Sequence, residues 1–252
     1  MYKYILCILI AFMTPAFSAD DVVPPEEQEW AFDGIFGKFD RVSIQRGFQV
    51  YKEVCSACHS LKRIAFRNLA EIGLSEDEVK AVAMEYSIED GPDEEGEMFE
   101  RPGKPSDYFP TPYPNDKAAR AANNGALPPD LSLMVKARHD GANYIYSLLT
   151  GYDQPPAGFE LGENMNYNPY FSGGGRQFSM IPPLTSAGQV EYQDGVESTI
   201  AQMSYDVVSF LQWAAEPEME KRKVLGFKVL IFLAIFTILF YLLKNKIWKR
   251  VK

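Results

Sequence analysis

The chain has 252 residues, a formal net charge of −9 and only three cysteines. All 34 acidic residues and 15 of the 25 basic residues lie between positions 20 and 220, so this stretch carries a charge of −19. A surface of this sign excludes nucleic acid as a partner and favours either plain solubility or the steering of a basic protein. About 200 residues suffice for one domain with its own core.

The first 18 residues, 1–18, have the features of a secretory signal peptide. A single basic residue precedes an apolar run at 5–12, and small residues lead to a predicted cleavage near Ala19. An uncleaved anchor is the alternative, but the run is short for a bilayer. Because the first arginine is Arg41, a bacterial export signal fits better than an arginine-rich transit peptide. Cleavage would remove Cys7 and leave two cysteines in an exported domain at 19–220.

A first helix is predicted over residues 41–54. Ile44, Phe48, Tyr51 and Cys55 recur at spacings of four, three and four, which places them on one helical face. Gly47 lies inside this helix, where glycine costs about 1 kcal/mol relative to alanine. Either a close helix crossing requires this glycine or it stands there by chance.

The pentad Cys55-Ser56-Ala57-Cys58-His59 follows this helix and has the C-x-x-C-H pattern of covalent haem attachment. The two thiols add to the vinyl groups of the porphyrin, and the adjacent histidine becomes the proximal iron ligand. Half of a zinc site and a thioredoxin-like redox pair are the alternatives. Zinc would need every cysteine and histidine of the exported domain, and no βαβ pattern surrounds the pentad. Haem attachment is therefore the favoured interpretation.

The rest of the domain alternates short helices with turn-rich segments. Helices are predicted over 75–86, where Ser75 and Glu78 form a capping box, and over 117–124, 138–150 and 198–215. Residues 89–114 and 151–195 are rich in proline and glycine and are expected to be irregular. The expected fold class is mainly α, and the last helix of the domain is expected to pack across the first near Gly47.

Residues 224–243 form a second apolar segment, with Lys228 as its single charge. Twenty helical residues span about 30 Å, the thickness of a bilayer core, so a membrane helix is favoured over a buried core helix. Five basic residues follow the segment and three precede it, which predicts a basic cytoplasmic tail at 244–252. The export signal predicts the same orientation, with the domain outside the cytoplasm.

The second axial ligand of such a haem is expected to be a histidine or a methionine. His139 stands at a predicted helix start, where a surface or capping role is favoured. Met84 and Met203 lie on apolar helix faces, where a core role is the default, and other methionines such as Met134 and Met165 remain possible. Met180 lies in a loop between three glycines and two prolines, and the prolines could stiffen the loop and hold its thioether against the iron.

The chain resembles the cytochrome c1 family from about residue 43 to its C-terminal segment. The most specific match is the string Asn-Asn-Gly-Ala-Leu-Pro-Pro-Asp-Leu-Ser at 123–132, because the pentad occurs in any c-type cytochrome. The other matching segments are 46–51, 91–92, 96–99, 107–110, 119–122, 147–152, 168–171, Met180 with its proline pair, and 213–218. The glycine-rich loop 172–179 departs from the family pattern by its length.

The resemblance implies one covalent haem c on Cys55 and Cys58, with His59 and Met180 as axial ligands. It places Arg138 beside a haem propionate, which a guanidinium can pair in a forked geometry. It implies a haem pocket drawn from Asn123, Ala126, Pro129, Tyr144, Leu148 and Phe171. The implied fold is a cytochrome c-like helical haem domain with long irregular loops and one C-terminal transmembrane helix.

The implied function is that of the electron-transfer subunit of quinol–cytochrome c reductase, the bc1 complex, without catalytic side chains of its own. One electron would pass from the Rieske iron–sulfur subunit to a basic cytochrome c, and cytochrome b would be a further partner. A single helix would tether the haem domain to the periplasmic side of a bacterial inner membrane.

Two other functions are compatible with the same motifs. A free-standing, membrane-tethered electron carrier would have the same haem and anchor but no cytochrome b partner. A haem enzyme or gas sensor would keep the sixth iron position open, and carbon monoxide would then bind readily to the reduced protein.

Overall fold

The computed structural model describes residues 23–250, so the predicted signal peptide lies outside the described residues. Most of the regular structure is helical: α1 (Arg41–Glu53), α2 (Glu76–Met84), α3 (Asp116–Ala122), α4 (Gly141–Thr150), α5 (Ile200–Ala215) and α6 (Met219–Trp248). Two 3-10 turns, Cys55–Ala57 and Phe66–Ile72, lie between α1 and α2. The predicted class, mainly α with long irregular loops and a long apolar C-terminal helix, is confirmed.

Two small antiparallel sheets interrupt the segments that were expected to be irregular throughout. Strand β1 (Ser87–Asp90) pairs with β2 (Phe99–Pro102), and β3 (Asn166–Tyr167) pairs with β4 (Gln177–Phe178). The expectation is wrong at these strands because each has only two or four residues. Such short strands do not show the repeated alternation of apolar and polar residues that indicates a strand in a sequence.

Helices α1 and α5 cross in the centre of the core, and Gly47 marks the crossing. A Cβ atom at this position would overlap the backbone oxygen of Asp206, and it would lie 2.8 Å from the Cβ of Phe210. Only glycine lets the two backbones approach so closely. The predicted packing of the last domain helix across the first near Gly47 is confirmed, and the close crossing explains the glycine.

A buried carboxylate fixes the register of this crossing. Asp206 of α5 is fully buried and accepts hydrogen bonds from Ser43 Oγ at 2.7 Å and from Arg46 Nε at 2.8 Å, both on α1. Arg46 also contacts Asp194 at 2.8 Å. A buried charge is costly unless it is paired and hydrogen-bonded. A shift of either helix would therefore leave the carboxylate unpaired.

The ends of the other helices follow their capping residues. At α2, Ser75 Oγ accepts from the Glu78 amide at 3.3 Å and Glu78 Oε2 accepts from the Ser75 amide at 2.7 Å, which confirms the predicted capping box. Helix α4 begins at Gly141 rather than at residue 138. The prediction is wrong there because Asp140 has a left-handed backbone, with φ of 59°, which a right-handed helix does not accommodate.

Helix α6 contains the predicted membrane segment 224–243. By length and composition it can cross a membrane, and none of its apolar stretch is buried against the domain. Only the three residues 216–218 separate it from α5. Glu216 forms ion pairs with both Lys136 and Arg222, which joins the base of the domain to the first turns of α6.

Candidate haem site

The pentad forms a compact turn at the C-terminal end of α1. The amide of Cys58 donates to the Cys55 carbonyl at 3.2 Å, and the amide of His59 donates to the same carbonyl at 2.9 Å. Ser56 Oγ donates to the Lys52 carbonyl at 2.7 Å, which fastens the turn to the last turn of the helix. These bonds bring both thiols and the imidazole together within one 3-10 turn and the two residues after it.

Both thiols of the pentad are half-buried and free. Burial, together with the neighbouring Cys58, raises the pKa of the Cys55 thiol to about 12. Within residues 23–250 no group of three or more potential metal-ligating side chains occurs. The donor set therefore fits attachment of an organic group better than a structural zinc ion.

The His59 imidazole is oriented by a backbone carbonyl. Its Nδ1 lies 2.8 Å from the Pro129 oxygen, and because a carbonyl only accepts, Nδ1 carries the proton. Burial lowers the pKa of His59 and outweighs the opposing effect of the Pro129 bond, which favours the neutral ring. A neutral imidazole with Nδ1 engaged presents Nε2 to a metal, the arrangement typical of histidine ligands.

Asp130 holds the segment that supplies this carbonyl, and the sequence analysis missed it. Its Oδ2 accepts from Ser60 Oγ at 2.8 Å and from the Lys62 amide at 2.9 Å, while Oδ1 accepts from the Ser132 amide at 3.0 Å. Burial acts to raise the pKa of Asp130, but these hydrogen bonds together hold it below its ordinary value. The Asp-Leu-Ser order after two prolines is a turn signal that could have indicated this role.

Met180 is half-buried in a stretch of chain that β3 and β4 hold in place. Its backbone carbonyl accepts from the Tyr152 hydroxyl at 3.1 Å and from Asn166 Nδ2 at 3.3 Å. The loop 172–179, singled out for its length, therefore contains the last strand before the methionine. Two side chains and one strand pair fix the backbone at this position.

A stack of aromatic rings lies beside this segment. Phe178 is parallel to Phe171 at a centroid distance of 4.6 Å and to Tyr152 at 5.5 Å. All three rings are half-buried, so each keeps a surface that a flat apolar group could cover. Of the three, only Phe171 was among the predicted pocket residues.

Asn168 connects this segment to α4 and was also missed. It is fully buried, and its Nδ2 donates to the Leu148 carbonyl at 2.9 Å while its Oδ1 accepts from the Tyr170 amide at 3.1 Å. Leu148, a predicted pocket residue, is half-buried on α4, and Tyr144 lies one turn before it and is buried. The Asn-Pro pair at 168–169 was visible as part of the family resemblance but indicated only a turn.

The remaining predicted residues lie on two loops. Asn123 ends α3, where its Nδ2 donates to the Ala119 carbonyl at 2.7 Å and to the Tyr113 hydroxyl at 3.0 Å. Ala126 is half-buried three residues later and Pro129 is exposed. Arg138 is also exposed, and its guanidinium donates to the neighbouring Ala137 carbonyl at 3.1 Å. The structure thus describes where these residues lie, and their contact with haem stays a prediction.

His139 lies at the surface, as predicted. Its side chain is 96% exposed and its Nδ1 lies 2.9 Å from the Asp140 carboxylate. The imidazole therefore has the surface position that the sequence favoured over a role as second axial ligand.

The residues of the site fit a c-type haem. Two free thiols stand at the spacing that thioether attachment needs, and the adjacent imidazole is held by its Nδ1 so that Nε2 is left for iron. Half-buried aromatic rings lie next to the methionine segment and can cover an apolar ring system. A cleft of about 700 Å³ lies elsewhere, between the domain and α6, and is separate from the pentad.

The family comparison agrees with this geometry. The model of the Cytochrome C1 family matches residues 30–251. A protein of Solanum tuberosum named "Cytochrome c1-2, heme protein, mitochondrial" is 53% identical over 230 residues, which cover 90% of this chain and 87% of that protein.

Two bacterial relatives are similar over the same range. The cytochrome c1 of Rhodospirillum rubrum is 50% identical over 242 residues, which cover 90% of this chain and 88% of the relative. A protein of Bradyrhizobium diazoefficiens named "Cytochrome b/c1" is 50% identical over 246 residues, covering 89% of this chain and 35% of that longer protein. With the pentad, the oriented imidazole and a family match over most of its length, the chain belongs to the cytochrome c1 family.

Proposed function

We propose that the protein is the electron-transferring subunit of a quinol–cytochrome c reductase, or bc1, complex and carries one covalent haem c. The observation that carries the proposal is the His59 imidazole, held at Nδ1 by the Pro129 carbonyl at 2.8 Å beside two free thiols. A proximal ligand needs this fixed orientation, because the ring must direct Nε2 at the iron. Membership of the cytochrome c1 family supports the assignment to the complex.

Haem, when bound, supplies a one-electron redox centre. Cys55 and Cys58 would hold it through two thioether bonds, and His59 and Met180 would be its axial ligands. The protein's side chains make and break no bonds during transfer. Their role is to position: Pro129 orients His59, while Tyr152 and Asn166 hold the Met180 carbonyl. A thioether ligand raises the reduction potential relative to a second histidine.

The haem pocket is proposed to include residues from three parts of the domain. They are Asn123, Ala126 and Pro129 from the loop after α3, Tyr144 and Leu148 from α4, and Phe171 from the aromatic stack. Arg138 is proposed to pair with a propionate, for which its exposed guanidinium is accessible.

The protein would accept one electron from a Rieske iron–sulfur subunit and pass it to a basic cytochrome c. The charge of −19 on residues 20–220 supports a basic acceptor. The name of the Bradyrhizobium relative, cytochrome b/c1, supports association with cytochrome b. The export signal, α6 and the basic residues after it support a periplasmic haem domain on a bacterial inner membrane.

The covalent attachment is tested by acid–acetone extraction followed by a pyridine haemochrome spectrum of the denatured protein. We expect the haem to stay with the protein and to give the spectrum of a doubly thioether-linked haem. A Cys55→Ala variant should give the spectrum of a single linkage, and the double variant with Cys58→Ala should release its haem into acetone. Haem that leaves the unsubstituted protein in acetone would overturn the c-type assignment.

The assignment to a complex is tested by purification in a mild detergent. We expect cytochrome b and a Rieske protein to co-purify with the haem-bearing chain. Purification of the chain alone, with its haem, would instead support a free-standing tethered carrier. Rapid binding of carbon monoxide to the reduced native protein would support an enzyme or sensor and contradict Met180 as a ligand.

A further inference from the structure

The segment before α1 packs alongside the start of α6. Trp30, Phe32 and Phe39 of this segment are buried in the core. The Phe39 amide donates to Glu220 Oε1 at 2.8 Å, and Arg41 Nη2 lies 2.8 Å from Glu220 Oε2. The segment is thus fixed to the first turn of α6 at the level of Glu220.

One turn further along α6, Lys223 closes the base of a tight turn formed by residues 33–37. Its ammonium group donates to the Phe32 carbonyl at 2.6 Å and to the Gly37 carbonyl at 3.1 Å, one on each side of the turn. A Cβ atom on Gly37 would overlap the Asp33 carbonyl, so the turn is closed as tightly as glycine allows. Both ends of the turn are therefore tied to the helix.

The tip of the turn reaches the apolar part of α6. The ring of Phe36 meets the ring of Phe227 edge-on, with centroids 6.4 Å apart. Glu220, Lys223 and Phe227 are spaced by three and four residues and share one helical face. From the first to the last of them the helix advances about 10 Å. The tip thus lies beside the run that starts at Val224 and that is long enough to cross a membrane.

The two side chains at this tip are apolar and exposed. Ile35 is 72% exposed and Phe36 is 81% exposed. Between the turn and α6 lies the cleft of about 700 Å³, with Phe32, Ile35, Phe227 and Leu230 among its lining residues. Arg222 also lines this cleft, at the end away from the apolar run. The surface is therefore apolar at the depth of Phe227 and charged nearer the domain, where Asp140, Glu216, Arg222 and Lys223 line the cleft.

We propose that the turn 33–37 inserts Ile35 and Phe36 into the outer lipid leaflet beside α6, as a second membrane contact of the domain. The contact with Phe227 argues for lipid as the occupant, because the tip lies at the depth of a helix segment that lipid surrounds. Arg222 and Lys223, which are paired with Glu216 and with the Phe32 and Gly37 carbonyls, precede the apolar run and would lie at the level of the headgroups. The domain would then meet the membrane at two points and could not rotate freely about α6.

The proposal is tested by spin labelling of the full chain, purified with whatever subunits accompany it and reconstituted in phosphatidylcholine vesicles. A nitroxide is attached in an Ile35→Cys variant, and its collision rates with oxygen and with a water-soluble nickel chelate are measured. Oxygen concentrates in the bilayer and the chelate in water, so the ratio of the two rates reports depth. We expect this ratio to be several-fold higher at position 35 than at a water-exposed site.

Two matched variants define the scale of the measurement. Met84→Cys on α2 is the aqueous control, since Met84 is 65% exposed on the domain, and Phe232→Cys is the lipid control, since Phe232 is 61% exposed on α6. The unsubstituted chain gives the labelling background, and Phe36→Cys provides a second reading of the tip. A ratio at position 35 equal to that at 84 would overturn the proposal. So would low accessibility to both reagents, which would show that a protein covers the tip.

Discussion

The hydrogen bonds around the candidate site mainly join a side chain to a backbone carbonyl. The Pro129 carbonyl orients His59, the Tyr152 hydroxyl holds the Met180 carbonyl, and Asn168 holds the Leu148 carbonyl. A side chain that is held through the backbone keeps its position without a contact to its own reactive atom. The bonds to the Met180 carbonyl therefore fix the backbone from which the side chain extends and leave its sulfur free to bind iron.

Removal of the single hydroxyl oxygen of Tyr152 tests whether its hydrogen bond helps to position Met180. Tyr152→Phe removes the donor to the Met180 carbonyl but keeps the ring that stacks on Phe178. The lost hydrogen bond should lower the free energy of unfolding by about 1 kcal/mol. We also expect a weaker ferric charge-transfer band of the iron–thioether bond and faster carbon monoxide binding. Absorbance spectroscopy and denaturant titration measure these effects.

The matched control is Tyr170→Phe. The Tyr170 hydroxyl donates to Glu26 at 3.1 Å near the surface, so this variant loses a hydrogen bond that does not involve Met180. We expect this variant to leave the iron–thioether band unchanged. An unchanged band in Tyr152→Phe, or an equal loss in both variants, would show that the Tyr152 contact does not position Met180.

The sequence was informative about residues whose partners are adjacent in the chain. The pentad could be recognised because two thiols and an imidazole must share one short turn. Asp130 and Asn168 could not be recognised in the same way, since their partners include Ser60 and Leu148, which lie far away in sequence. Such contacts depend on how loops close, and no local periodicity indicates them.

Among the elements, the crossing of α1 and α5 determines where the pentad lies, because only Val54 separates Cys55 from the end of α1. The crossing combines a close backbone approach at Gly47 with the buried Asp206 and its partners Ser43 and Arg46. Both features restrict sliding of one helix along the other. The turn that contains the pentad is therefore fixed relative to the last helix of the domain.

Gly47→Ala should disrupt this crossing. The added methyl group would overlap the Asp206 carbonyl and crowd Phe210, so the helices must move apart. Overpacking of a core costs about 1–3 kcal/mol, and a clash with backbone places this variant at the upper end, near 3 kcal/mol. Unfolding of the haem-bearing protein, followed by circular dichroism and by haem absorbance, measures the loss.

Gly226→Ala on α6 is the control, because a Cβ atom there has no neighbour within 4 Å. We expect its unfolding midpoint to equal or slightly exceed that of the unsubstituted protein, because alanine favours a helix over glycine. Equal stability of Gly47→Ala would contradict the close crossing.

Helical periodicity predicted the longer helices and missed the shorter elements, among them the buried 3-10 helix Phe66–Ile72. Helices α1 and α5 each bury a continuous apolar face, and their bounds follow the predicted ones within a few residues. Strands β1 to β4 have only two or four residues each, which is too few to show an alternation. The β1–β2 hairpin is held instead by charge: Arg101 contacts both Asp90 and Asp107. Ion pairs between distant positions leave no period in the sequence.

At the scale of the whole molecule, the acidic residues and the long apolar run of α6 lie in different parts of the chain. All of its acidic residues lie before α6 ends its first turn, and the helix continues with apolar residues and then basic ones. The haem domain would therefore present a negative field to any soluble carrier. A field of one sign can raise association rates by roughly 10 to 1,000-fold at low salt, and salt screens it within about 8–10 Å.

Electron transfer to a basic cytochrome c should therefore slow as ionic strength rises. We expect the second-order rate constant, measured by stopped-flow absorbance, to fall by about tenfold between low and physiological salt. Ferricyanide, an anionic oxidant, is the control, and its rate should rise over the same range because screening reduces repulsion. A rate for cytochrome c that does not depend on salt would contradict steering by the acidic surface.

The short connection between α5 and α6 fixes the orientation of the domain relative to α6. Only Glu216, Pro217 and Glu218 separate the two helices; Glu216 is bridged to Lys136 and Arg222, and Met219 is buried. A soluble domain on a long flexible stalk samples many orientations and many heights above the bilayer. This domain would have no such stalk, so a carrier that diffuses along the membrane would meet the same face at the same height in every encounter.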